Sequence, residues 1–503
     1  MGVFYYSPLI FIHFPHTNRL KPVKCPYYFQ HELTMPLSRL FILSLSLYSF
    51  STFASIPSSI QLLPSGSRAA IVVESLHDQS IEFQQKENEL LPPASTLKVA
   101  TALASRLALG KNFQFKTTLH KTKHNSVQLT FSGDPSLTRE NLSSLFKNSG
   151  LKNIKGDLWV DDSIFTGYER AVGWPWDILG VCYSAPSSAL SIDENCVQAS
   201  ISTNENGTTR VFVPIHQPIS FTTAARTVSA KEKKNSFCDL ELTTQGNNYH
   251  LSGCLVARSK PLPLKFAVQN TTEFTEQTLL RILNEQNINL SGKIIFGNST
   301  GKIQKTVLLA SHQSEPLMVL LNHMLKKSDN HYADNLVKTL GHYHYQQPGS
   351  FSNGTAAVKD ILLKQANVDL TNAVIVDGSG LSRNNRMTAN QMKSLLQFVY
   401  RYDKELGLIA LLPTSGIDGT LIYRNSMRKE PIKGSIKSKS GSLFGSYNMA
   451  GFVGLEGNNP QLFVQFVADY HPIAAEEGVL PVERPIDSFE KAFYQALIKL
   501  SND

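Results

Sequence analysis

No Cys-x-x-Cys pair occurs in the 503 residues; the five cysteines stand alone at 25, 182, 196, 238 and 254. Zinc sites of finger-like thiolate spacing are therefore excluded. Charge is sparse as well: Asp, Glu, Lys and Arg make up 17% of the chain, with a formal net charge of +8. The densest basic run, Lys231-Glu-Lys-Lys234, has no interleaved aromatics, so no nucleic-acid partner is expected. Apolar runs are short and serine-rich, none convincing against the roughly 18 residues of a membrane span, so no transmembrane anchor is expected. His342-Tyr-His344 has ligand-like spacing without an accompanying carboxylate cluster, and no metal or cofactor is expected. What remains is a chain 42% hydrophobic, long enough to bury large cores in two or three domains.

From Met35 the sequence reads MPLSRLFILSLSLYSFSTFAS, with Arg39 before an apolar stretch and the small residue Ala54 at its end. This pattern predicts a signal peptide over 35–54, preceded by a non-native extension over 1–34, and hence export to the periplasm. Removing Cys25 with the leader leaves four cysteines in two local pairs. In an oxidising compartment the expected bonds are Cys182–Cys196 and Cys238–Cys254, among three possible connectivities.

Three short strings carry the chemistry: Ser95-Thr-Leu-Lys98, Ser328-Asp-Asn330 and Lys439-Ser-Gly441. Ser-x-x-Lys also occurs at Ser144, Ser149, Ser299, Ser426 and Ser488, so context has to select among them. Only Ser95 follows a proline pair, Pro92-Pro93, and opens an alanine- and leucine-rich helical run without glycine. Residues three apart share a helical face, which brings Lys98 within reach of the Ser95 hydroxyl. Ser328-Asp-Asn330 falls between two helical runs, Pro316 to Lys327 and His331 to Leu340, and reads equally as a cap or as a loop aiming side chains into a cleft. Lys439-Ser440-Gly441 starts a strand beside a second apolar one, Gln461 to Tyr470. A serine with an adjacent lysine, a polar relay and a second cation suit acyl transfer without a catalytic histidine.

With the three motifs in this order, the chain resembles the class C low-molecular-mass penicillin-binding proteins, the D-alanyl-D-alanine carboxypeptidases/endopeptidases of peptidase family S13. Ser132-Gly-Asp-Pro-Ser-Leu-Thr138, Trp174-Pro-Trp-Asp177, Tyr183-Ser-Ala-Pro186, Asp377-Gly-Ser-Gly-Leu-Ser-Arg383 and Gly445-Ser-Tyr-Asn-Met-Ala-Gly-Phe452 extend the resemblance from about residue 56 to the end. Ser440 departs from the threonine of many relatives but keeps the hydroxyl. The resemblance implies an α/β (α+β) multidomain fold, with a transpeptidase-like catalytic domain of helices on an antiparallel sheet. It implies peptidoglycan muropeptides as substrate and β-lactams as covalent inhibitors. Ser95 is the expected nucleophile and Lys98 its base. Ser328 is expected to relay the proton, Asn330 to orient the peptide, Lys439 and Ser440 to receive a substrate carboxylate, and Gly441 to let the substrate approach the backbone closely. The amides of Ser95 and Ser442 are implied as the oxyanion site. Asp193 matches an aspartate directed at the active site, and fits a turn-ending aspartate equally well.

About 230 residues separate Lys98 from Ser328, more than a connection needs. Strand-like runs such as Ser126 to Phe131, Thr209 to Val213 and Phe237 to Thr244 predict an inserted mainly-β region over 120–300, with 55–119 and 301–503 forming the catalytic domain. A serine β-lactamase and a non-catalytic β-lactam sensor share the motifs. No Glu-x-x-Leu-Asn segment supports the first, and no signalling portion the second. A homo-oligomer is compatible with the sequence.

Overall fold

Every residue of the strand Gln461–Ala468 is buried, as in a strand covered on both faces. In the computed structural model, which describes residues 55–123, 125–297, 305–472 and 483–503, it is the middle of a five-stranded sheet. The expected signal peptide, the 1–34 extension and Cys25 lie outside the described residues. The strand order is Ile436–Leu443, Ser446–Val453, Gln461–Ala468, Arg68–Ser75, Ile81–Gln85, with all neighbours antiparallel.

Side chains alternate across a strand, and here the alternation divides two cores. Ala70, Val72, Leu462, Val464 and Phe466 pack with the helices Lys98–Leu109, Leu317–Lys327, Asn330–Tyr345, Phe351–Ala366 and Ala389–Arg401. Ala69, Ile71, Val73, Phe463 and Val467 pack with the last helix, Pro485–Asn502. No described helix is long and apolar enough to cross a membrane.

Between its first and last strands the chain builds further sheets. One has the order Ile294–Phe296, Leu158–Asp161, Val127–Thr130, Lys116–Thr122, Lys305–Gln313, and shares a core with the helices Arg139–Asn148 and Thr271–Glu285. Its strands Lys116–Thr122 and Lys305–Gln313 are antiparallel neighbours, so the chain leaves and re-enters the helical region side by side. Residues 196–267 add a three-stranded and a four-stranded sheet. Disulfides join Cys182 to Cys196 and Cys238 to Cys254.

Candidate active site

The serine of the first motif sits in a 3-10 turn, Ala94–Leu97, that runs directly into the helix Lys98–Leu109. Ala94 takes a left-handed φ of 48°. The turn is clamped by glycines whose side chains would not fit. A Cβ on Gly380 would fall 1.9 Å from the Ala94 carbonyl oxygen, and one on Gly441 would fall 2.9 Å from the amide nitrogens of Ser95 and Thr96. Gly441 thus serves backbone packing against the nucleophile's own turn, where the sequence suggests room for substrate.

Three acceptors surround the buried Lys98 ammonium: Ser95 Oγ at 3.0 Å, Asn330 Oδ1 at 2.6 Å and the Ser379 carbonyl at 2.7 Å. Burial lowers its pKa from 10.5 to about 8, against the opposing pull of Asp334, Asp377 and Asp329.

Ser328 ends the helix Leu317–Lys327 in a left-handed conformation, and Asp329 caps the following helix by accepting the Tyr332 amide. The second motif is therefore both the cap and the loop that its composition allows. Asn330, the first residue of the second helix, also donates from Nδ2 to the Tyr183 carbonyl at 2.7 Å. Its amide is spent largely on holding Lys98 and the Tyr183 backbone, a positioning task as much as a binding one.

Lys439 reaches Ser328 Oγ at 2.9 Å and the Ser440 carbonyl at 2.8 Å. Burial pushes its pKa well below 10.5, and repulsion from Lys98 and Arg424 adds to this. The repulsion between the two ammonium groups thus falls on Lys439, while burial accounts for the lowering at Lys98. Two serine–lysine pairs thus meet at one opening. Ser95, Ser328, Ser440 and Ser442 line a cavity of about 320 Å³ together with Thr420 and Arg424.

The sequence matches the D-Ala-D-Ala carboxypeptidase 3 (S13) family over residues 54–491. The chain belongs to the S13 family. It is 36% identical over 474 residues to D-alanyl-D-alanine carboxypeptidase DacB of Haemophilus influenzae, covering 91% of this chain and 97% of that protein. A D-alanyl-D-alanine carboxypeptidase of an Actinomadura species is 26% identical over 445 residues, covering 81% and 79%. The crystal structure of penicillin binding protein 4 (dacB) from H. influenzae matches with a TM-score of 0.80 at 35% identity, covering 88% of this chain and 99% of that one. A structure of the same protein complexed with a β-lactam matches at 0.76 and 33%, covering 89% and 99%.

Other parts of this S13 site lie outside the three catalytic strings. The loop Asp377–Arg383 is its frame: Asp377 accepts the amides of Gly380 and Ser382 and the Trp174 indole N–H, while Asp334 accepts the amides of Gly378 and Ser379. Ser379 then offers its carbonyl to Lys98. On one side of Ser95, burial disfavours the Arg424 cation, but the paired Glu490 carboxylate overcomes this and raises its pKa. On the other side a cavity of about 400 Å³ is walled by Tyr183, Arg383 and Phe444. Asp377–Arg383 is one of the strings that carry the family resemblance, and its hydrogen bonds show what it does there.

Ser440 Oγ shares a hydrogen bond with Thr420 Oγ1 at 2.7 Å and stays on the cavity wall. Asp193 sits in a turn, the second of the two settings that its sequence context allows. It lines neither cavity at Ser95; its carboxylate accepts the Arg139 amide at 3.1 Å, at the start of the helix Arg139–Asn148, and borders a separate cavity. The turn that carries it has φ of 51° at Asp193 itself, which aims the side chain at that helix. His342 and His344 are engaged by the Gln347 carbonyl and Asp360.

Proposed function

We propose that the protein is an exported serine-type D-Ala-D-Ala carboxypeptidase and DD-endopeptidase that works on peptidoglycan stem peptides through an acyl-enzyme on Ser95, and that β-lactams acylate the same serine. The observation that carries this reading is the meeting of two serine–lysine pairs, Ser95 with Lys98 at 3.0 Å and Ser328 with Lys439 at 2.9 Å, at one cavity.

Each step has a group suited to it. Ser95 Oγ attacks the carbonyl of the D-Ala–D-Ala bond while Lys98 Nζ, as the free base, takes the hydroxyl proton. The carbonyl oxygen becomes an oxyanion held by the amides of Ser95 and Ser442. As the C–N bond breaks, the Ser328 hydroxyl, held by Lys439, passes to the departing amine the proton that Lys98 took up. D-Ala leaves, Lys98 takes a proton from the water that adds to the ester, and that proton returns to Ser95 Oγ as the acid departs. Arg424 and Lys439 offer cationic surroundings to the terminal carboxylate, and Arg383 offers a second cation across the cleft. The mutual pairing of Lys116–Thr122 and Lys305–Gln313 supports a division into a catalytic part flanking an inserted region. The family match and the paired cysteines support a periplasmic location reached through the 35–54 leader.

Mass spectrometry of D-Ala release from a pentapeptide, and of cleavage of cross-linked muropeptide dimers, tests the reading. Turnover is expected for the exported protein and not for Ser95→Ala. An inactive wild type, or an active Ser95→Ala, would sink it.

A further inference from the structure

Beside the Ser328–Asn330 turn, three metal-ligating side chains converge from three separate elements. Glu194 comes from the turn before Cys196, His323 from the helix Leu317–Lys327, and Asp329 from the cap of the next helix. His323 Nε2 lies 3.3 Å from Asp329 Oδ2 and 3.7 Å from Glu194 Oε1, and the three donor atoms lie within 4.8 Å of one another. Donors held tetrahedrally at about 2.05 Å from Zn²⁺ stand about 3.3 Å apart, so small side-chain movements close this set on one ion. Among the described residues no other group of three such donors comes together.

The protein also restrains each donor. The His323 ring stacks on Tyr332 with centroids 4.3 Å apart, which fixes its plane. Asp329 Oδ1 accepts from the Tyr332 amide at 3.1 Å, leaving Oδ2 turned to His323. Glu194 stands in the middle of three successive left-handed residues, with φ of 51°, 59° and 50° at Asp193, Glu194 and Asn195. Side-chain-bearing residues adopt that conformation at a cost, and here it presents Glu194 to His323. All three line a cavity of about 890 Å³, so an ion has a path in and room to keep water. Lys265 and Lys327 line the same cavity and partly offset the two carboxylates.

We propose that Glu194, His323 and Asp329 bind a divalent transition-metal ion, with Zn²⁺ the best match, on the wall of the Ser328–Asn330 turn. One imidazole and two carboxylates suit zinc, whereas Ca²⁺ needs six or more oxygens. The ion is a positioning element. It ties Asp329, the residue between Ser328 and Asn330, to the turn at Glu194, and takes no proton and makes no bond in acyl transfer.

Calorimetric titration of the chelator-stripped, tag-free chain with ZnCl₂ tests the site, alongside thermal denaturation with and without the metal. One Zn²⁺ per chain is expected, with a raised Tm, and with affinity at least about tenfold weaker in His323→Ala and in Glu194→Gln. CaCl₂ should raise the Tm far less. Glu194→Gln changes a half-exposed side chain by one atom, so it reports even where His323→Ala fails to fold. No Zn²⁺ binding by the wild type, or unchanged affinity in Glu194→Gln, overturns the site.

Discussion

Acylation of Ser95 should follow the deprotonation of Lys98. The Lys98 ammonium is fully buried and titrates at about 8 instead of 10.5, and only its free base can accept the serine proton. The free-base fraction is then about 1% at pH 6, about 9% at pH 7, about 50% at pH 8 and about 90% at pH 9. The sign is unambiguous: activity rises with pH because the competent form is the unprotonated one. Lys439 is pushed down too, and partly by Lys98, so the bend in the profile belongs to the pair, at the step where Lys98 becomes neutral. The assay is the second-order rate constant for acylation by a fluorescent penicillin, whose carboxylate stays ionised throughout. Its logarithm should climb with a slope near one below about pH 7.5 and flatten above about pH 9, a gain of about tenfold from pH 7 to 9.

Two substitutions at one atom sharpen the test. Asn330→Ala removes the Oδ1 that accepts from Lys98 at 2.6 Å. Such a bond to a charged group contributes about 1.5–3 kcal/mol, so the ammonium loses support and the bend moves down by about 1–2 pH units. Asn330→Asp places a carboxylate there and moves the bend up by about 1–3 units. Plateau rates fall in both, because Asn330 also holds the Tyr183 carbonyl, but the midpoints separate in opposite directions. A flat profile in the wild type, or shifts of the same sign in both variants, refutes Lys98 as the base.

Gly441→Ala should slow acylation by about a hundredfold, since an alanine Cβ 2.9 Å from the Ser95 amide must push the strand and its Ser442 amide off the nucleophile's turn. Its thermal unfolding should show an overpacking loss of only about 1–3 kcal/mol, and wild-type acylation in this variant would refute the close approach. The two disulfides should separate stability from function. Loss of Cys182–Cys196, spanning 14 residues, should cost about 3 kcal/mol and also slow acylation, because Tyr183, next to Cys182, holds Asn330. Loss of Cys238–Cys254, spanning 16 residues, should cost a similar amount and leave acylation unchanged. Equal acylation in the two variants would disprove the link through Tyr183.

Residues that act with their own side chains are the legible ones. Ser95 and Lys98 are readable because a spacing of three, a proline entry and a helical apolar run fix both chemistry and relative position. Ser328, Asn330 and Lys439 follow once a partner motif is present, and one side of the sheet follows from the strand at Lys439 and the apolar run Gln461 to Tyr470, while Arg68–Ser75 and Ile81–Gln85 emerge only from the structure. What holds these groups in place is not written in residue type. Tyr183 and Ser379 contribute carbonyl oxygens, which almost any residue could supply, and only the backbone path brings them to Asn330 and Lys98. Asp193 shows the same limit from the side-chain end: residue type leaves its setting open, and the left-handed turn brings its carboxylate to the Arg139 amide. The Tyr183 contact has the larger consequence, because it makes the excursion between the first two motifs part of the site. A chain cut back to the segments that carry the three motifs would retain Ser95, Lys98, Ser328 and Lys439. Its Asn330 amide, without the Tyr183 carbonyl, would be free to turn its oxygen away from Lys98, and the ammonium would lose one of its three acceptors.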